Sequence, residues 1–248
     1  MTVTREDFEE AIAAYWGVKE TQNQLSAVRE KVGAGIAGSV RGGKHFDAIA
    51  TLLAKFFVEA GYPSGSIRVT VSQGLELPGY YRPQKRWDII VAYGNVLVAA
   101  FELKALGGPS FGNNYNNRVE EALGSAVDFR RAVLVDSYLG EKPWLGYFFI
   151  MQDELGSRSE VRLNKGAFPV ETIWQGASYQ KRFAIFCERL MAENLYDAVC
   201  YVTSSAHNPR PVELVESLDW RHFSAAINAR ITYLSELGIP GDSGALSI

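Results

Sequence analysis

RWDIIVAYGNVLVAAFELKAL, residues 86–106, decides how the chain is read. Two apolar runs flank Gly94-Asn95, residue types that supply the left-handed backbone of a tight turn at little cost. The segment therefore predicts a β-hairpin. Yet Asp88 stands near one end of it, and Glu102 and Lys104 near the other. An unpaired charge in buried sheet costs on the order of several kcal/mol, so such charges are paired, solvated or bound to a metal.

Parity decides whether the three charges meet. Glu102 and Lys104, two apart on a strand, share a face. A plain two-residue turn at Gly94-Asn95 pairs Asp88 with Phe101 and sets Glu102 on the opposite face. A three-residue loop, Gly94-Asn95-Val96, pairs Asp88 with Glu102. Convergence thus requires an odd-length loop or a β-bulge, and one of these is expected here.

If the parity holds, two carboxylates and an ammonium share one patch. Hard oxygen ligands suit Mg²⁺, which binds through one or two carboxylates, waters and substrate phosphate oxygens. Asp88, Glu102 and the Leu103 backbone carbonyl are the candidate ligands. A metal there would polarise a scissile phosphate and lower the pKa of a bound water. Lys104 would orient or help deprotonate that water and offset transition-state charge. This is the Asp…Glu-x-Lys arrangement of the PD-(D/E)xK nucleases. Glu102-Leu103-Lys104 is the only Asp/Glu-x-Lys triplet in the chain. The competing reading is an exposed ion pair at a strand end, worth about 0–1 kcal/mol.

Composition narrows the alternatives. The 248 residues are 47% hydrophobic and 21% charged, with a net charge of −3, which describes a soluble globular protein with a substantial core. The longest apolar stretch, WLGYFFIM (144–151), is far shorter than the ~20 residues that span a bilayer. The N-terminus MTVTREDFEE does not read as a signal peptide. Cys187 and Cys200 are too few for a disulfide framework and lack metal-ligand spacing. A cytoplasmic location is expected. His45, His207 and His222 form no ligand pair, and nucleophile-elbow, phosphate-loop and dinucleotide motifs are absent.

Three segments depart from the acidic balance: KVGAGIAGSVRGGKHF (31–46), YYRPQKRW (80–87) and LKALGGPSFGNNYNNRV (103–119). They are either solvated loops or a phosphate-binding face. Around them helices and strands alternate. Helices are expected over 5–31, over 42–61 ending at Gly61, from an Asn117 cap to about Val135, over 178–195 and over 219–237. Strands are expected at 66–72, in the hairpin, at 144–152 as a strand buried on both faces, and at 197–205. This predicts one α/β domain over 1–248, with its core at about 42–205. A mixed central sheet, a meander followed by crossovers, is flanked by helices, and 239–248 form a flexible tail.

Taken together, RGGKHFD, LPGYYRPQKRWD and FELKALGGPSFGNNYNNRVEEALG resemble the corresponding segments of the XhoI-type restriction endonucleases over nearly the whole chain. The resemblance implies a restriction-endonuclease-like PD-(D/E)xK fold and a Mg²⁺-dependent type II enzyme that cuts double-stranded DNA. The family's catalytic residues fall on Asp88, Glu102 and Lys104; its "PD" proline is absent, since Trp87 precedes Asp88. The resemblance further implies the palindrome CTCGAG, cut after the first C to leave 5′ overhangs, and a partner DNA methyltransferase in the same system. A palindrome is best read by a two-fold symmetric homodimer.

Candidate DNA contacts follow from side-chain chemistry. Asn113, Asn114 and Asn116 suit base edges, and Arg118 suits phosphate. Lys44, Arg82 and Arg86 are candidate phosphate contacts, with ordinary surface charge as the alternative. Asp47, near the start of a helix, is a candidate additional metal ligand, although the helix dipole alone also favours Asp there. Two other function classes stay open on the residues alone: a repair nuclease or junction resolvase without base readout, and a non-catalytic binding protein with a structural ion cluster.

Overall fold

The computed structural model describes residues 3–31, 44–69, 72–135, 137–138 and 140–241. Most of the glycine-rich run at 31–46 and the last seven residues lie outside them, as do residues 70 and 71 of the first expected strand. Two helices open the chain, α1 (Arg5–Lys31) and α2 (Asp47–Glu59), and Gly61 follows at φ +85°. Next come β1 (Ile67–Val69), a short hairpin of β2 (Glu76–Pro78) and β3 (Gln84–Arg86), and the long hairpin of β4 (Ile89–Tyr93) and β5 (Val96–Leu106). Then α3 (Phe111–Leu134), β6 (Leu145–Gln152), α4 (Leu155–Arg158), α5 (Tyr179–Ala192), β7 (Ala198–Ser204) and α6 (Trp220–Glu236) complete the chain.

The main sheet has the order β1-β4-β5-β6-β7. Its first three strands are an antiparallel meander, and β6 and β7 add in parallel. The parallel steps need crossovers, which α3 and α5 supply. As expected for a doubly covered strand, β6 is buried along seven of its eight residues. Among the described residues, no helix is long and apolar enough to cross a membrane.

Side-chain alternation divides the core into two layers. Phe101, Leu103 and Ile150 face α1, α2 and α6, whose Phe8, Phe57 and Phe223 fill that side. Ala100, Leu106 and Phe149 face α3 and α5, and Phe149 stacks on Phe183 at 3.7 Å. Glu102 and Lys104 share the parity of Ala100 and Leu106, so they project toward α3.

One expectation is corrected. The helix after β5 begins at Phe111, not beyond an Asn117 cap, so Asn113 to Arg118 are helical. Asn and Gly are weak helix formers, but Phe111 and Tyr115, one turn apart, pack on Tyr179 and Phe183, and that tertiary contact overrides propensity. At the other end, the Ile239 and Gly241 carbonyls accept from the hydroxyls of Tyr62 and Tyr93, and most of the tail expected at 239–248 lies outside the described residues.

Candidate active site

The β4–β5 hairpin combines a two-residue turn with a bulge. Tyr93 pairs with Val96 around Gly94-Asn95, and Gly94 takes φ +56°. Ala92 then pairs with Leu97 but Val91 with Ala99, which leaves Val98 as the extra residue of β5. From there Ile89 lies opposite Phe101. One step further sets Asp88 beside Glu102, the register that the site requires.

Three charges therefore meet, and a fourth joins them. Lys104 Nζ hydrogen-bonds Glu102 Oε1 and lies 3.9 Å from Asp88 Oδ2. Lys85 Nζ reaches Glu102 Oε2 at 2.5 Å. Asp88 is also fixed by the backbone, since Leu103 N–H donates to its Oδ2 at 2.8 Å. The N–H and C=O of a residue in extended strand project to the same side. The Leu103 carbonyl thus faces the Asp88 edge, beyond the start of β4.

Electrostatics separates the two acids. Burial alone pushes the Glu102 carboxyl up, but the ammoniums of Lys85 and Lys104 outweigh it and hold Glu102 below the usual range. Asp88 goes the other way: burial raises it, and the neighbouring Glu102 charge adds to that. Lys104 is held above its ordinary value because Glu102 and Asp88 outweigh its own burial. Lys104 is thus an ammonium in this state, a donor and a positive charge.

The donor set fits a hard divalent cation. Asp88 is a carboxylate whose ionisation the protein alone opposes, and a dication would reverse that. Among the described residues no group of three or more acids, histidines or cysteines gathers to hold a metal. Two carboxylates and a carbonyl would therefore need waters and substrate oxygens to complete the shell, as Mg²⁺ characteristically does.

A polar cavity of about 410 Å³ opens over Glu102 and Lys104. Arg82, Lys85 and Arg118 line it, with Glu120 and Glu121 on the α3 wall. Arg118 Nε donates to the Ala105 carbonyl and its guanidinium pairs with Glu121. Arg82 pairs with the buried Asp128 at 2.7 Å, and Asp128 also accepts from the Tyr80 and Tyr81 amides. That acid pins the loop that delivers Lys85.

The remaining candidates lie further out. Arg86 points to the other side of β3 and pairs with Glu76 at 2.9 Å. Lys44 is exposed in the short helical turn before α2. Asn113 and Asn116 are exposed on the first turns of α3, and Asn114 is half-buried. Asp47 is the exposed first residue of α2, a helix that covers the opposite face of the sheet from Glu102. Its position suits the helix dipole.

Sequence reasoning grouped Lys85 with its basic neighbours and missed its inward direction. The signal was available: Lys85 is two residues from Trp87, whose buried indole marks the inner face, and Lys85 Nζ sits 4.2 Å from that ring centroid. Nothing local marked Asp128.

Comparison with known proteins places the chain in a family. A family model described as restriction endonuclease XhoI matches residues 25–214. The chain is 39% identical over 176 residues to the type II restriction enzyme BstVI of Geobacillus stearothermophilus, covering 68% of this chain and 78% of that protein. It is 36% identical over 182 residues to the type II restriction enzyme XhoI of Xanthomonas vasicola, covering 73% and 72%. For the type II restriction enzyme AbrI of Azospirillum brasilense the identity is 35% over 148 residues, covering 58% and 64%. No solved structure matches the chain.

Proposed function

Because the chain belongs to the XhoI restriction endonuclease family, a family of site-specific deoxyribonucleases, we propose that it makes Mg²⁺-dependent double-strand cuts at CTCGAG. One observation carries the proposal furthest. The Val98 bulge turns a tight hairpin into a platform on which Asp88, Glu102 and Lys104 converge, and Glu102 and Lys104 open onto a polar cavity that Arg82, Lys85 and Arg118 also line.

Asp88, Glu102 and the Leu103 carbonyl would hold Mg²⁺, which supplies Lewis-acid polarisation of the phosphate and activation of a water when bound. Lys104, held protonated by the two acids, orients the attacking water and offsets the charge that builds on the phosphate oxygens. Arg82 and Arg118 line the approach to that point and are suited to flanking phosphates. Asn113 and Asn116, exposed on the same helix as Arg118, would read base edges. A homodimer with two-fold symmetry would present one such site to each strand of the palindrome. A methyltransferase of the same specificity would protect the host's own sites.

The test is digestion of a sequenced plasmid bearing one CTCGAG site, with Mg²⁺ or EDTA, by wild type and Lys104→Ala. Cleavage at that site alone, requiring both the metal and Lys104, is the expected result. Metal-dependent fragments that map elsewhere would overturn the specificity and keep the nuclease. Cutting confined to branched substrates would replace base readout with structure recognition.

A further inference from the structure

We propose that Lys85 is a second working lysine of this site. In the free enzyme it neutralises one oxygen of Glu102; when a divalent cation takes that oxygen, the ammonium passes to a DNA phosphate over the cavity. The inference rests on the reading of Glu102 as a metal ligand.

The geometry gives each Glu102 oxygen its own ammonium, Lys104 on Oε1 and Lys85 on Oε2. A dication that bound there would have to compete with both. The two lysines are not equivalent competitors. Lys104 stands on the central strand β5, two residues from Glu102, and also faces Asp88 at 3.9 Å. Lys85 comes from the separate β2–β3 hairpin and has a second seat ready. Its Nζ donates to the Arg86 carbonyl at 3.0 Å and lies over the Trp87 ring at 4.2 Å. A cation on an aromatic face keeps much of its stabilisation when an anionic partner is withdrawn. Its side chain is only 13% exposed, yet it lines the cavity, so it meets whatever enters there. The Asp128 clamp on Arg82, Tyr80 and Tyr81 holds the hairpin in place while the flexible side chain moves.

Such a lysine leaves two marks that a structural lysine would not. Lys85→Met keeps the apolar stem and removes the charge. Calorimetric titration with Mn²⁺ in the absence of DNA is expected to show binding at least several-fold tighter than wild type. In Ca²⁺, where DNA binds uncut, the slope of log Kd against log salt is expected to shrink by about 0.9, the value of one phosphate contact. Lys85→Arg is expected to restore both. Glu102→Gln separates the two readings. If it abolishes Mn²⁺ binding, the metal reading stands and the Lys85 data bear on Lys85 alone; if it leaves Mn²⁺ binding intact, the metal reading itself fails. Unchanged or weaker Mn²⁺ affinity in a Lys85→Met protein that melts like wild type would overturn the role of Lys85, as would an unchanged salt slope.

Discussion

Replacing Glu102 and Asp88 separately by their amides should move stability in opposite directions in EDTA. The side chain of Glu102 is 5% exposed and both its oxygens are held by ammoniums. Gln has nearly the same shape, so Glu102→Gln removes the charge and leaves the packing. Lys85 and Lys104, 13% and 24% exposed, would then share a neutral group. Removing one partner of a buried pair costs about 3–5 kcal/mol. At about 2–4 °C per kcal/mol for a chain of this size, the Tm should fall by about 6–20 °C. Asp88, still 3.9 Å from Lys104, sets the fall toward the low end of that range. Asp88→Asn should instead raise the Tm at neutral pH. Its carboxyl is pushed up first by burial and then by Glu102, so its ionisation opposes folding. An Asn oxygen can still accept from Leu103 N–H.

The pH dependence follows from the same shifts. Glu102 is lowered, so its contribution is present above its ordinary value of 4.5 and is lost as pH falls through the lower folded value. The Glu102→Gln deficit should therefore be full at neutral pH and close in acid. Asp88 is raised, so its penalty is absent below its ordinary value of 3.8 and develops as pH rises through the higher folded value. The gain from Asp88→Asn should vanish in acid and be full at neutral pH. Thermal unfolding followed by circular dichroism, from acid to neutral pH in EDTA, reads both. Shifts of the same sign and size for the two variants would refute the charge arrangement argued here.

Three further outcomes are expected. Gly79→Ala would set a Cβ 2.4 Å from Asp128 Oδ2 and 2.8 Å from the Arg82 carbonyl. The loop that carries Lys85 must then shift, at about 1–3 kcal/mol, with cleavage reduced and helix content unchanged; urea unfolding and single-turnover cleavage check this. The Tyr147 hydroxyl is buried and finds no hydrogen-bond partner among the described residues, so Tyr147→Phe should stabilise by about 1 kcal/mol in the same urea assay. Asn116→Ala should weaken binding to the preferred site by about 1–3 kcal/mol while sparing non-specific affinity, measured by competition in Ca²⁺. Unchanged preference would return the Asn run to the role of an exposed helix face.

Period and capping made much of the architecture legible in advance. The apolar run at 144–152 reads as a strand buried on both faces, and residues 145–152 of it form β6. Ser178 and Asp219, expected at the starts of helices, cap α5 and α6 by accepting from Lys181 N–H and His222 N–H. What stayed hidden depends on contacts distant in sequence. The start of α3 is set by Tyr179 and Phe183, more than 60 residues away. The loop at 80–86 is organised by Asp128, which no spacing rule connects to it. Lys85 turns inward because its strand packs beside Trp87, whereas composition shows only a basic segment.

The hairpin shows why chemistry and folding constrain each other here. A two-residue turn at Gly94-Asn95 suits the twist of the strands, and both faces of β5 are buried, so neither the turn nor the apolar alternation can slip. With a regular ladder those constraints would set Asp88 opposite Phe101 and send the two acids to different layers of the core. One extra residue, the fully buried Val98, resolves the conflict. Residues 99–106 keep the parity that lets Glu102 and Lys104 face α3, and Asp88 is brought to the same edge. The bulge is therefore tied to the site and not to the turn. Glu102 keeps its charge in a buried sheet because each of its oxygens has an ammonium within reach, whereas Asp88, 3.9 Å from Lys104, is still opposed by burial and by the Glu102 charge.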